Sequence, residues 1–227
     1  MNCIVINGSP KVQRSNTIQL ARAFVEGAGW ENVETIDIAK ISLKACIGCY
    51  VCWTKTPGKC VLPDDMNSIL EKLVSADVIV WSFPLYSHSV PGGLKNFIDR
   101  QLPLNLPVMD KKQESGGHPL RYDVSKQQHI LISTCGFWTA KGNYDGVDFM
   151  FSRSVKDSYE SIYCGQGELF SIEQLKEHTN CYLATVRKAG SEYAQSGKID
   201  ENTKLSLAEP LFPKEVFEKM ADGSWEG

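Results

Sequence analysis

Two stretches of this chain carry residue types spaced for chemistry. The first is Asn7-Gly8-Ser9-Pro10-Lys11-Val12-Gln13-Arg14-Ser15-Asn16-Thr17, which follows the apolar run Cys3-Ile4-Val5-Ile6 and precedes an amphipathic segment. It concentrates small, hydroxyl and basic residues at a strand-to-helix turn. There, unpaired backbone N–H groups and the positive end of a helix dipole favour an anion. Gly8 permits the tight turn. A dinucleotide site would show Gly-x-Gly-x-x-Gly with a ribose-binding acid, and a nucleoside triphosphatase would show Gly-Lys-Ser/Thr; neither occurs here. The hydroxyls of Ser9, Ser15 and Thr17, the Asn16 amide and the Arg14 guanidinium suit a single phosphate monoester. The plainer alternative is a polar loop in which Ser15 caps the helix.

The second stretch is Cys46-x2-Cys49-x2-Cys52-x7-Cys60. Three thiols at three-residue intervals can converge on one small volume, and Gly48 and Gly58 ease the turning that brings in the fourth. Ferredoxin-type cubane clusters use cysteines at such intervals, whereas tetrahedral zinc sites pair Cys-x2-Cys with a more distant pair. A 4Fe-4S cluster, free or redox-active thiols, and zinc all stay open on spacing alone. The remaining cysteines are scattered. Cys3 and Cys181 are expected to pack as small apolar groups, while Cys135 and Cys164 fall near strand ends. The histidines His88, His118, His129 and His178 show no zinc spacing.

Alternating elements must position these groups. Strands are expected at Cys3–Asn7, Val33–Ile38, Val78–Ser82, His129–Thr134 and Ser161–Cys164. Helices are expected from Ser15 to Gly27, from about Pro63-Asp64 with Asp64 or Asp65 as cap, and over Leu94–Gln101, Asp148–Ser158 and Ile172–Ala194. The run Val78-Ile79-Val80-Trp81 is apolar throughout, as in a strand buried on both faces, so it belongs near the middle. Five strands alternating with helices predict a doubly wound parallel sheet of order 2-1-3-4-5, whose ligands bind at the carboxyl ends of the strands. That brings together the phosphate loop, the loop Phe83–Gly93 and the loop Cys135–Gly146. Residues 103–126 read as a surface excursion serving as flap or oligomer contact. Residues 1–195 form one domain, and 196–227 a C-terminal extension of short helical pieces packed on it.

With 227 residues, 42% of them apolar, the chain can bury one sizeable core. A net charge of −3 without a basic run argues against a nucleic-acid binder. The N-terminus has only a short apolar run before the fold begins, which reads as cytoplasmic, with no membrane span. In that compartment eight cysteines are more consistent with reduced thiols or ligands than with disulfides.

The loop after the third strand reads Pro84-Leu85-Tyr86-Ser87-His88-Ser89-Val90-Pro91-Gly92-Gly93-Leu94-Lys95, followed by Asp99-Arg100. Pro84 and Leu85 offer a flat apolar wall with free backbone groups, and Tyr86 adds a ring edge, which suits a planar heterocycle. Together with Gly8-Ser9-Pro10 and Ser15-Asn16-Thr17, this resembles the flavodoxin-like NAD(P)H-dependent FMN reductases over roughly residues 1–145. The cysteine loop is similar to that of the iron-sulfur flavoprotein branch. Lys11 stands where that family commonly has arginine, which leaves Arg14 nearer the phosphate. The resemblance implies FMN held by Ser9, Arg14, Ser15, Asn16 and Thr17, and bordered by Pro84, Leu85 and Tyr86. Thr134, Cys135, Gly136 and Phe137 close its other side. It further implies NAD(P)H as co-substrate, a possible 4Fe-4S cluster on Cys46, Cys49, Cys52 and Cys60, and a small-molecule or redox-protein electron acceptor. The implied assembly is a homodimer or homotetramer, and no catalytic side chain is needed because the flavin carries the chemistry.

Overall fold

The computed structural model describes residues 1–111, 114, 116–155 and 159–224. Strand β1 (Asn2–Asn7) leads into helix α1 (Asn16–Ala28), which stops where Gly29 takes a left-handed φ of 66° that closes the last turn. Strand β2 (Asn32–Asp37) follows, then the cysteine loop with the short helix α2 (Val51–Thr54), then helix α3 (Met66–Ser75). Strand β3 (Val78–Pro84), helix α4 (Gly92–Asp99), strand β4 (Gln128–Thr134), helix α5 (Asp145–Ser154) and strand β5 (Tyr159–Cys164) complete the alternation. Helices α6 (Lys176–Ser196), α7 (Glu201–Ala208) and α8 (Lys214–Gly223) come last.

All sheet pairings are parallel and the order is β2-β1-β3-β4-β5, as the alternation predicts. The two-residue side-chain period divides the strands between two cores. Cys3, Val5, Val78, Val80, Ile130 and Ile132 face α1 and α6, meeting Ile18, Phe24, Val186 and Tyr193. Ile4, Ile6, Ile79, Trp81, Phe83 and Leu131 face α3, α4 and α5, meeting Leu70, Phe97 and Phe151. Each such buried side chain contributes about 1.5–3 kcal/mol relative to exposure, which explains why β3, apolar on both faces, sits in the centre.

Boundaries move by a few residues. The third expected helix starts at Gly92, directly after Pro91, and the last one becomes α-helical only at Lys176 after two 3-10 turns. Residues 156–158 of the fourth expected helix, three residues of the excursion (112, 113 and 115) and the tail's last three (225–227) lie outside the described residues. Within the excursion, Asn105 and Leu120 form an antiparallel bridge, and Arg121 N donates to Leu104 O at 2.7 Å. That hairpin-like segment packs on the cysteine loop, where the His118 ring lies 4.7 Å from that of Trp53. Cys3 is buried as expected, but Cys181 is exposed on α6 and does not pack as an apolar group. Among the described residues no helix is long and apolar enough to cross a membrane.

Candidate functional site at the carboxyl ends of the strands

The phosphate loop is held from below by β2. Asp37, the last residue of β2, accepts from Asn7 Nδ2 at 2.7 Å and from Gln13 Nε2 at 2.9 and 3.1 Å, and pairs with Lys40 at 3.1 Å. Burial alone would push its carboxyl up, but these hydrogen bonds from Gln13, Asn7 and Lys40 win and hold it below its usual value. Asp37 occupies the place of a dinucleotide site's ribose-binding acid, yet its oxygens serve the loop itself. Asn7 also donates to Val12 O at 3.1 Å, and Val12 takes a φ of 52°, rare for a β-branched residue. Sequence reasoning missed Asp37 and Gln13 in this role.

At the start of α1, Ser15 is buried in the N-cap position but its side chain makes no capping bond. Ser15 thus stands at the N-cap, as the plainer alternative has it, but without the hydroxyl cap bond. The first three amides of the helix, those of Asn16, Thr17 and Ile18, have no intrahelical acceptor by geometry. Ser9 is also buried, and its hydroxyl accepts from Lys11 N at 3.2 Å. The Thr17 hydroxyl bonds the Thr134 hydroxyl at 2.5 Å and Asn16 Nδ2 donates to Gly167 O at 2.9 Å, so these two side chains lock α1 to the end of β4 and to the loop after β5. Arg14 is exposed on the turn just before Ser15. Nearby, the fully buried Ser82 hydroxyl, in register with Asn7, has no partner among the described residues. Two buried hydroxyls, uncapped helix amides and a carboxylate already engaged make a donor set that fits a phosphate monoester.

The second wall comes from the loop after β3. Leu85 N donates to Thr134 O at 2.9 Å, and Tyr86 and Ser89 exchange backbone bonds around Ser87 and His88. These two central residues have φ of 48° and 57°. A turn with both centres left-handed normally carries Asn-Gly, so the Ser-His pair is strained, as loops facing ligands often are. Phe83 is wholly buried against Phe151, whereas Tyr86 and Phe137 are each about half exposed at 47%. The His88 ring stacks on Phe137 with centroids 5.3 Å apart, joining the loops after β3 and β4.

A fourth loop, not anticipated from sequence, follows β5. Gly167 lies so close to β4 that a Cβ there would stand 2.6 Å from the Thr134 Cβ, and its N–H donates to Cys135 O at 2.8 Å. Glu168 comes next. A Cβ on Gly136 would meet its Oε2 at 3.4 Å, and burial pushes its carboxyl up. Cys135 is buried, and burial raises its thiol as well. The signal that could have found this loop is Gly165-Gln166-Gly167 at a strand end, the same punctuation that marks the first loop.

The four cysteines of the second motif line one shallow recess, together with Ile47, Tyr50, Arg100 and Pro103. Left-handed φ values of 64° at Gly48, 54° at Tyr50 and 86° at Gly58 produce the turns. All four thiols are free; Cys52 is buried, Cys60 half-buried, Cys46 and Cys49 exposed. Burial raises the Cys52 thiol first, and the neighbouring thiols of Cys60, Cys49 and Cys46 raise it further. Among the described residues no three ligand side chains stand close enough to share one metal ion. Four reduced thiols around one recess are nonetheless a donor set that fits a cluster, in which each thiolate binds a different iron.

A doubly wound parallel sheet of order β2-β1-β3-β4-β5, with α1 starting at the switch point between β1 and β3, defines a flavodoxin-like fold. The sequence model of the NADPH-dependent FMN reductases matches residues 1–120, more than half of the chain. The chain belongs to that family. It is 39% identical over 118 residues to an iron-sulfur flavoprotein of Methanocaldococcus jannaschii, covering 51% of this chain and 60% of that protein. An iron-sulfur flavoprotein of Archaeoglobus fulgidus is 33% identical over 132 residues, covering 57% and 59%. The chain thus spans about three-fifths of the length of these curated relatives. Among solved structures, an FMN-dependent NADH-azoreductase from Bacillus anthracis in complex with FMN aligns with a TM-score of 0.59 at 21% identity, covering 86% of this chain and 100% of that one. An NAD(P)H:quinone oxidoreductase from Methanothermobacter marburgensis aligns with a TM-score of 0.59 at 17% identity, covering 84% and 98%. At such identities the likeness shows the fold.

Proposed function

We propose that this chain is an FMN-dependent oxidoreductase that takes electrons from NAD(P)H and passes them to a quinone, another flavin or an aromatic acceptor, or to a 4Fe-4S cluster on Cys46, Cys49, Cys52 and Cys60. The observation that carries the reading is the uncapped start of α1, facing the carboxyl ends of β1 and β3 with Ser9 and Ser15 buried beside it. When bound, FMN supplies hydride acceptance and one-electron transfer, chemistry that no side chain of the protein provides. The chain's residues bind and orient. Ser9, Arg14, Ser15 and the amides of Asn16 and Thr17 hold the phosphate. Pro84, Leu85 and Tyr86 border the ring on one side, and Thr134, Cys135, Gly136 and Phe137 on the other. The His88–Phe137 stack would border one edge of the ring, whereas the amides of Leu85, Tyr86 and Ser89 are already bonded within the protein, contrary to the free backbone groups expected for this loop. The acceptor enters past half-exposed Tyr86, so Tyr86→Ala should retain FMN while changing kcat/KM for bulky acceptors several-fold in steady-state assays. Unchanged kinetics toward every acceptor would remove Tyr86 from that role.

The curated relatives are named iron-sulfur flavoproteins, which supports the cluster; the second reading is that the protein is such a flavoprotein and carries electrons without nicotinamide activity. A spectrum of oxygen-protected protein, followed by stopped-flow mixing with NADH and NADPH, tests both. Flavin bands that bleach with either nucleotide support the enzyme. Flavin bands that stay, beside a brown shoulder with iron and acid-labile sulfide, support the carrier. A colourless protein that binds no added FMN overturns both.

A further inference from the structure

We propose that Arg100 is a positioning residue for a cluster on the four cysteines: it fixes the Cys60 sulfur through an N–H···S bond and thereby raises the cluster's reduction potential. This inference rests on the cluster reading above. It is carried by a contact between two residues that the FMN site does not use, Asp64 just before α3 and Arg100 just after α4.

The Arg100 side chain is 1% exposed and that of Asp64 is 0%. Their contact is a two-pronged fork, Nη1 to Oδ2 at 2.7 Å and Nη2 to Oδ1 at 2.9 Å. Each prong has a second target. Nη1 donates to Lys44 O at 2.6 Å, two residues before Cys46, and Nη2 donates to Cys60 Sγ at 3.3 Å. Asp64 in turn accepts from Lys44 N at 3.0 Å and Met66 N at 3.2 Å. One guanidinium therefore ties together the two ends of the cysteine loop, and Arg100 itself lines the recess the thiols share. Its Nε, also buried, has no partner among the described residues, which leaves a further donor in the same place.

A buried ion pair is costly, and an apolar pair of similar volume would stabilise the fold as well or better. What apolar residues cannot supply is a rigid, permanently charged donor aimed at a sulfur. One-electron reduction adds a negative charge that spreads over the cluster and its ligand sulfurs. A hydrogen bond to one of those sulfurs, with the guanidinium's positive charge beside it, stabilises the reduced form more than the oxidised form.

The test uses the full chain, loaded anaerobically with iron, sulfide and FMN, and titrated with dithionite while the cluster is followed by EPR and the flavin by absorbance. In Arg100→Lys, which keeps the charge but loses the fork, the cluster midpoint should shift to more negative potential. In the double variant Asp64→Asn, Arg100→Gln, which loses the charge without stranding a partner, it should shift further. The flavin midpoint should stay put in both. A loaded cluster whose midpoint does not move in either variant overturns the proposal. Should both variants fail to load, wild-type protein grown on ¹⁵N-arginine decides: pulsed EPR of the reduced cluster should show nitrogen coupling that persists in Arg121→Lys, the other arginine near Gly58. Absence of that coupling also overturns it. Wild-type protein that binds no iron or sulfide removes the cluster reading itself, a result distinct from a loaded cluster with an unmoved potential.

Discussion

Ser15 is the residue whose conformation says most about the ligand. It stands where a helix ordinarily caps itself, and its hydroxyl leaves the first amides of α1 unclaimed. Because a carboxylate there would compete for the same amides and repel a phosphate, Ser15→Asp should weaken FMN binding by at least about tenfold, roughly 1.4 kcal/mol. Fluorescence titration of apoprotein with FMN would measure it, and unchanged affinity would place the phosphate elsewhere. Asp64 makes the opposite kind of statement. The Arg100 guanidinium beside it holds its carboxyl at about 2, and removing the charge leaves a buried arginine uncompensated. Asp64→Asn should therefore lower unfolding stability by about 3–5 kcal/mol in urea titrations. The sign with pH follows from the depressed folded value. The stabilisation is present above the ordinary carboxylate pKa near 3.9 and is lost as pH falls through about 2.

At the scale of elements, the pairing of α1 with α6 decides how rigidly the phosphate end is presented. The two helices touch backbone to backbone at two glycines. A Cβ on Gly190 would stand 2.0 Å from Phe24 O, and one on Gly27 1.9 Å from Arg187 O. Neither neighbour is a side chain that can rotate away. Gly190→Ala should accordingly destabilise by about 1–3 kcal/mol, despite the gain of roughly 1 kcal/mol in helix propensity that alanine brings. Gly223, near the end of α8, has open space around its would-be Cβ and serves as control; Gly223→Ala should be neutral or slightly stabilising. Thermal melts of the two variants in parallel separate packing from propensity. A second consequence concerns the other end of α1. Bonds from Thr17 to Thr134 and from Asn16 to Gly167 fasten the helix start to β4 and to the β5 loop, so displacement of α1 at Gly190 should also loosen the FMN site.

For the whole molecule, a buried histidine in β4 contributes to how stability responds to acid. His129 on β4 is buried, and Trp81 Nε1 donates to its Nδ1 at 3.2 Å, which requires the neutral ring. Burial lowers its pKa to about 4. Between about pH 6.5 and 4 the unfolded chain binds a proton that the folded one refuses, so stability falls as pH drops through that window, by on the order of 3 kcal/mol. His129→Gln should flatten that part of the stability-against-pH curve; a curve as steep as the wild type's would mean that other groups carry the effect.

The strand runs, the helical stripes and the glycines at the first turn were legible in the sequence because each is a local pattern. An apolar run buried on both faces, Val78-Ile79-Val80-Trp81, had to be central, and alternation with helices had to give parallel pairing, so the sheet order followed. The Ser9–Thr17 loop and Cys46–Cys60 were equally visible, as concentrations of donors and thiols. What only the tertiary structure decided were the partners, because they are far apart along the chain and their side chains obey no short period. Nothing in the local pattern shows that Asp37, at the end of β2, is held by Asn7 and Gln13, 30 and 24 residues away. That the Thr17 hydroxyl meets the Thr134 hydroxyl at 2.5 Å, 117 residues away, no local pattern could show. Asp64 and Arg100, 36 residues apart, became a single device only when the fold brought α3 and α4 against the cysteine loop. Periodicity determines which face of an element is buried; which polar groups then meet is fixed by packing, where leaving a buried charge or donor without a partner costs more than almost any local preference can offset.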